Sequence, residues 1–118
     1  MLLAALCLAG NMYFEARGEP VDGQILVAEV TMNRAGTGAD ICATVFEARQ
    51  FSWTNDKDLA IDEPEVFIQS VILAYDLMNN GCDLCTTATH FHTRGVEPYW
   101  AEHLTLIGAY GNHVFYRE

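Results

Sequence analysis

Apolar side chains cover most of the helical circumference over residues 2–16, "LLAALCLAGNMYFEA", which predicts a helix buried on nearly every side. Gly18 stops it, and Pro20 suits the first turn of the next helix. In "VDGQILVAEVTMNRA", Val21, Ile25, Ala28 and Met32 recur at steps of four, three and four, giving a second helix that ends before Gly36. Residues 36–40 read as loop, "ICATVFEA" as a short third helix, and "RQFSWTND" as an exposed turn bearing two aromatics. Glu63-Pro64 then opens "EVFIQSVILAYDLMNN", closed by Gly81 at the C′ position. Its apolar arc of Phe67, Ile68, Val71, Ile72, Ala74, Tyr75 and Met78 is wide, which marks it as the core helix. After it the period changes. "TTATHFHT", "LTLIGAYG" and "NHVFYRE" are β-branched and aromatic with Gly between them, as short antiparallel strands are. The expectation is an α+β domain, mainly helical, with a small antiparallel β-sheet toward the C-terminus.

With 118 residues and no repeat or linker-like composition shift, residues 1–118 read as one domain. The net charge of −10 excludes more than it suggests. Six Lys plus Arg against sixteen Asp plus Glu supply no cationic face for nucleic acid, and none for a polybasic membrane contact. Affinity for an anionic polymer must then come from contacts in a cleft rather than long-range attraction. The opening "MLLAALCLAG" lacks a positive n-region and a place to cut, and is too short to span a bilayer. It reads as the first helix of a chain made in the cytoplasm without a signal peptide, and the expected state is a monomer.

In such a chain the four cysteines, Cys7, Cys42, Cys82 and Cys85, read first as reduced thiols, two of them core fillers. Cys82 and Cys85 with His90 and His92 also have a zinc reading, although His-x-His on one strand face is not a common finger arrangement. A disulfide from Cys42 to Cys82 or Cys85 is the third possibility. The expectation is no metal and no cofactor.

Glu15 is the candidate for chemistry. It falls in the last turn of the first helix, where the helix dipole disfavours a negative charge. Leu8 and Met12, with Asn11, lie seven, three and four residues back, so desolvation disfavours that charge again. Both effects push the pKa upward, toward what a general acid near neutral pH needs. The bland reading is a solvated last-turn Glu. Glu19, just before Pro20, is better placed to serve the start of the second helix. With Arg17 and Arg34, it reads as structural, holding the turn that aims Glu15.

The stretch "YFEARGEPVDGQILVAEVTMNR" resembles the opening of SleB-type, spore-cortex-lytic cell-wall hydrolases: an aromatic, then E-A-R-G-E-P, G-Q, an apolar helix and N-R. The likeness continues in order through Cys42, Val45-Phe46, Gln50-Phe51-Ser52, Ala88-Thr89-His90-Phe91-His92, Pro98 with Trp100, and Gly111-Asn112-His113-Val114-Phe115-Tyr116. Two departures fall in loops: Gly38-Ala39-Asp40 stands where Phe-Pro is usual, and Thr86-Thr87 where a Gly pair is frequent. The resemblance implies a lysozyme-like fold and cleavage of peptidoglycan glycan strands between N-acetylmuramic acid and N-acetylglucosamine, with Glu15 as the catalytic acid. A catalytic domain with no separate wall-binding domain and no signal is similar to a phage endolysin, acting on the bacterial wall from the periplasm or outside.

Hydrolysis at a sugar usually takes two carboxylates, and none besides Glu15 has a comparable claim. Asp56, Asp58, Asp62 and Glu63 read as a solvated polar run. A lytic transglycosylase needs only one, because the muramic acid C6 hydroxyl is the nucleophile; its products end in 1,6-anhydromuramic acid. A muramidase with a second carboxylate is the alternative. A non-catalytic glycan-binding module and a zinc amidase rank behind it. For sugar contact the candidates are Gln50, Phe51, Ser52, Trp53, His90 and His92. Trp100, Phe115 and Tyr116 are expected in the core.

Overall fold

The computed structural model describes residues 2–36, 40–47, 60–81, 84 and 86–118. Helix α1 (Leu2–Ala16) is central, and α2 (Val21–Ala35), α3 (Ile41–Phe46) and α4 (Pro64–Asn80) all pack on it. The stop signals lie where the sequence places them. Gly18, Gly36 and Gly81 all adopt positive φ, and the Gly36 N–H closes α2 by donating to the Met32 carbonyl. Pro64 occupies the first turn of α4, and the Asp40 carboxylate caps α3 by accepting from the Ala43 N–H at 3.2 Å.

Two apolar clusters meet at α1. Leu8, Ala9 and Met12 pack with Ile25 and Ala28 of α2 and with Ala74 and Leu77 of α4. Ala16, at the end of α1, joins Leu26, Val27, Val30, Ala88 and Phe115 in the second. Each fully buried leucine contributes about 2 kcal/mol by leaving water. The core helix is therefore α1, not α4. Ile68, Ile72 and Tyr75 of α4 remain 56%, 65% and 43% exposed, because α4 packs chiefly on α1 and buries only one stripe.

Strands β1 (His90–Thr93), β2 (Thr105–Tyr110) and β3 (His113–Arg117) form an antiparallel sheet in the order β1-β3-β2. A bulge between Leu106 and Gly108 bends β2. A 3-10 helix, Tyr99–His103, links β1 to β2, and a turn at Gly111 (φ 59°) and Asn112 joins β2 to β3. The fold is α+β, helices first and sheet last.

The extended segment before β1 is laid on α2 by side chains rather than by another strand. Buried Glu29 accepts from Leu84 N, Thr86 N and Thr86 Oγ1 at 3.0, 2.8 and 2.8 Å. Asn33 Nδ2 donates to the Thr86 and Ala88 carbonyls, and Arg34 Nε to that of Thr89.

The reduced-thiol reading fails for two of the cysteines: Cys7 and Cys42 form a disulfide that ties α1 to α3. The expectation of a Cys42 bond to Cys82 or Cys85 fails because α3 packs beside the start of α1, with Cys42 Sγ only 3.4 Å from the Leu3 carbonyl oxygen. Cys82 and Cys85 lie outside the described residues.

Candidate active site

Glu15 stands half-buried in the last turn of α1, between Met12 of the first cluster and Ala16 of the second. Its neighbour one turn back, Asn11, is buried and donates to Thr31 Oγ1 at 2.9 Å, so this side of α1 faces α2. The Glu15 carboxyl has no hydrogen bond or ion pair among the described residues. Loss of water raises its pKa above the ordinary 4.5, the direction expected from the sequence. The helix C-terminus acts in the same sense.

The residues around it are fixed by neighbours of their own. Tyr13 is wholly buried, stacks edge-on against Phe14 and Phe67, and accepts from the Glu63 N–H at 2.9 Å. Arg17 lies 4.5 Å over the Tyr13 ring, donates to its hydroxyl, and stands 3.9 Å from Glu63. Glu19 does not cap α2, whose N-cap, Pro20, has no side-chain bond. Its carboxylate instead accepts from the Asn112 N–H at 2.6 Å and faces His113 Nδ1 at 3.4 Å. Arg34 is not at the turn either; it holds the segment leading to β1. Of the three residues assigned to the turn after Glu15, Glu19 bonds across it and Arg17 anchors the end of α1.

On β1 the period of two puts His90 and His92 on one face, with Trp100 at 5.2 and 5.7 Å from their ring centres. Phe91, on the other face, packs against Phe115 and His113. His92 stacks on Tyr116 and its Nε2 lies 2.9 Å from the Tyr116 hydroxyl. His92 and Tyr116 line a cavity of about 570 Å³ with Arg94, Tyr99 and Glu102. Tyr99 stands there 85% exposed. His90 borders a second cavity, of about 420 Å³, with Asn33, Arg34, Glu47 and Glu118. Burial, and then the Arg34 charge, lower the His90 pKa. Phe115 belongs to the core as expected, but Trp100 and Tyr116 are only partly buried and form an aromatic wall with the histidines. Gln50, Phe51, Ser52 and Trp53 lie outside the described residues, as do Asp56 and Asp58.

The sequence reading gives no role to Glu29 or to His113. A signal for Glu29 is present: a carboxylate set among Ile25, Leu26 and Val30 on an apolar helix needs donors from elsewhere in the fold. His113 carries no such signal, because its burial depends on which turn docks over it.

The sequence model of the Cell Wall Hydrolase family matches residues 18–116. The spore cortex-lytic enzyme of Oceanobacillus iheyensis is 29% identical over 92% of the chain, which covers 39% of that protein. The chain thus spans about two fifths of the curated relatives it matches. Among solved structures it is similar to the catalytic domain of the germination-specific lytic transglycosylase SleB of Bacillus anthracis. The TM-score is 0.76 at 26% identity, over 97% of this chain and 93% of that one. The catalytic domain of the Bacillus cereus SleB protein gives a TM-score of 0.74 at 28% identity, over 97% and 89%.

Proposed function

The chain belongs to the Cell Wall Hydrolase family, and on that premise we propose that it is a lytic transglycosylase of peptidoglycan. It cuts the glycan strand between N-acetylmuramic acid and N-acetylglucosamine, with Glu15 as both general acid and general base. The observation that carries this reading is the Glu15 carboxyl: half-buried, unpaired among the described residues, and held protonated to higher pH by loss of water. The lytic transglycosylase named among the similar structures supports the same class of reaction.

Protonated Glu15 gives its proton to the glycosidic oxygen as the bond to muramic acid C1 breaks. The C6 hydroxyl of the same sugar attacks C1, and the Glu15 carboxylate takes the hydroxyl proton. No water is consumed or released, and the acid is regenerated. An intramolecular nucleophile has a very high effective concentration, so no second carboxylate is needed to hold a water. Three other acids are already engaged, which supports this economy: Glu19 is bonded to Asn112, Glu29 to Leu84 and Thr86, and Glu63 stands by Arg17. In this reading the sugar rings lie against the wall of His90, His92, Trp100 and Tyr116, with Gln50, Phe51, Ser52 and Trp53 as further contacts. The Cys7–Cys42 bond supports action at the wall, outside the reducing cytoplasm.

Digestion of purified sacculi in oxygen-18 water, read by mass spectrometry, tests the proposal. The expected fragments end in unlabelled 1,6-anhydromuramic acid, about 18 mass units lighter than hydrolysed ends. Heavy oxygen at new reducing ends would make the protein a muramidase, with its second carboxylate to be sought among Asp56 and Asp58. Intact glycan would overturn both.

A further inference from the structure

The turn that follows Glu15 is fastened by the turn between β2 and β3. Glu19 is held at three points: its N–H donates to the Ala16 carbonyl at 3.0 Å, its carbonyl accepts from Gln24 Nε2 at 2.8 Å, and its carboxylate accepts from the Asn112 N–H at 2.6 Å. Ala16 is the residue next to Glu15, so a shift of Glu19 is passed directly to the end of α1. The opposing turn is itself clamped from behind, where Arg94 Nε donates to the Gly111 carbonyl and Arg94 N to that of Asn112.

The fit between the two turns is close. A Cβ on Gly111 would lie 2.8 Å from Pro20 Cδ and 2.9 Å from Glu19 Oε1, and φ there is +59°. On α2, Gly23 lies alongside Tyr110 at ordinary contact, its Cβ position 3.6 Å from the Tyr110 carbonyl oxygen. His113 completes the contact. It is 3% exposed, its ring is packed edge-on by Phe91 and Phe115, and Nδ1 has no hydrogen bond among the described residues although Glu19 Oε1 is 3.4 Å away. The Glu19 carboxylate thus stands beside a buried imidazole nitrogen as well as on the Asn112 N–H.

We propose that Glu19 is a positioning residue: latched to the 111–113 turn, its carboxylate fixes the end of α1 so that the Glu15 carboxyl stays shielded from water. The inference deepens the reading of Glu15 as the working acid and rests on it for its consequence in catalysis, but the latch has a signature of its own. Opening it admits water beside Ala16, where Ala88 and Phe115 now close the second cluster. The burial that raises the Glu15 pKa is then relieved.

The test is a carbon-13 NMR titration of the Glu15 carboxyl, its signal assigned by its absence in Glu15→Gln. In Glu19→Ala the midpoint falls toward 4.5, the ordinary value. In Glu19→Gln the amide oxygen still accepts from Asn112 and the amide N–H can reach His113, so the midpoint stays at the wild-type value. If Glu19→Ala does not fold, Glu19→Asn, one methylene too short to reach Asn112, carries the same comparison. On sacculi, Glu19→Ala loses roughly tenfold to a hundredfold in kcat with KM moved far less, the mark of a misaimed acid. A folded Glu19→Ala that melts lower but keeps the wild-type Glu15 midpoint would overturn the proposal and leave Glu19 a merely stabilising residue. A lowered midpoint in a protein that never cuts peptidoglycan would keep the latch and remove the proposed function.

Discussion

Replacing Cys7 and Cys42 together by serine removes the covalent tie between α1 and α3 and leaves Cys82 and Cys85 as they are. The bond joins residues 35 apart in sequence. Closing a loop of that length in the unfolded chain costs entropy worth about 4 kcal/mol at 25 °C, which the disulfide removes from the folding balance. For 118 residues the unfolding entropy at the midpoint is about 0.25 kcal/mol/K, so the double variant should melt about 15 °C lower. Differential scanning calorimetry at one pH, with matched protein concentrations, measures this. A drop of less than about 4 °C, roughly 1 kcal/mol, would refute the loop-entropy reasoning and place most of the stability of the α1–α3 contact in its packing.

Glu15→Gln should fold normally and be more stable than wild type at neutral pH. Because the folded pKa of Glu15 is raised, wild type loses stability as pH climbs from 4.5 through the raised value, so calorimetry should show the two proteins alike near pH 4 and apart at pH 7. Glu29→Ala should cost about 3 kcal/mol or more by chemical denaturation, since Leu84 N and Thr86 N and Oγ1 lose their acceptor in a part-buried setting; Glu29→Gln, keeping one oxygen, should cost less. Arg34→Ala should lower stability by about 1–2 kcal/mol through the Thr89 carbonyl, and Arg17→Ala by about 1–2 kcal/mol through the Tyr13 hydroxyl and ring, its pair with Glu63 adding little, both read from denaturant midpoints. Burial holds His113 below its ordinary 6.5, so stability should fall as pH drops from 6.5 through the lowered value, a slope that His113→Gln should lack.

What was legible in the sequence is what local rules govern. Gly18, Gly36 and Gly81 end helices by a backbone conformation that glycine adopts freely, and that requirement is visible without the fold. The two histidines share a face because a strand alternates, whatever it packs on. Glu15 was visible for a similar reason: a helix end and apolar residues one turn back are enough to give the direction of its pKa. The width of the α4 arc misled because periodicity counts apolar residues and cannot say how many neighbours exist to cover them. Pairings across long stretches were hidden altogether. Cys7 finds Cys42 only once α3 lies on α1, Arg34 reaches a carbonyl 55 residues on, and Glu19 meets a turn 93 residues away. Each depends on docking, for which the sequence pattern holds no distance.

The side chains that α2 lays along residues 84 and 86–89 bear on whether this edge of the sheet can accept another strand. A segment running straight into β1 is an edge, and an edge with free N–H and C=O groups templates pairing with another chain. Here Thr89 N is already spent on the Tyr116 carbonyl, while Glu29, Asn33 and Arg34 occupy Thr86 N and the carbonyls of Thr86, Ala88 and Thr89. An incoming strand would have to displace a buried carboxylate, an amide and a guanidinium anchored on a helix. The helix thereby does for this edge what a covering strand would do, and it does so without extending the sheet.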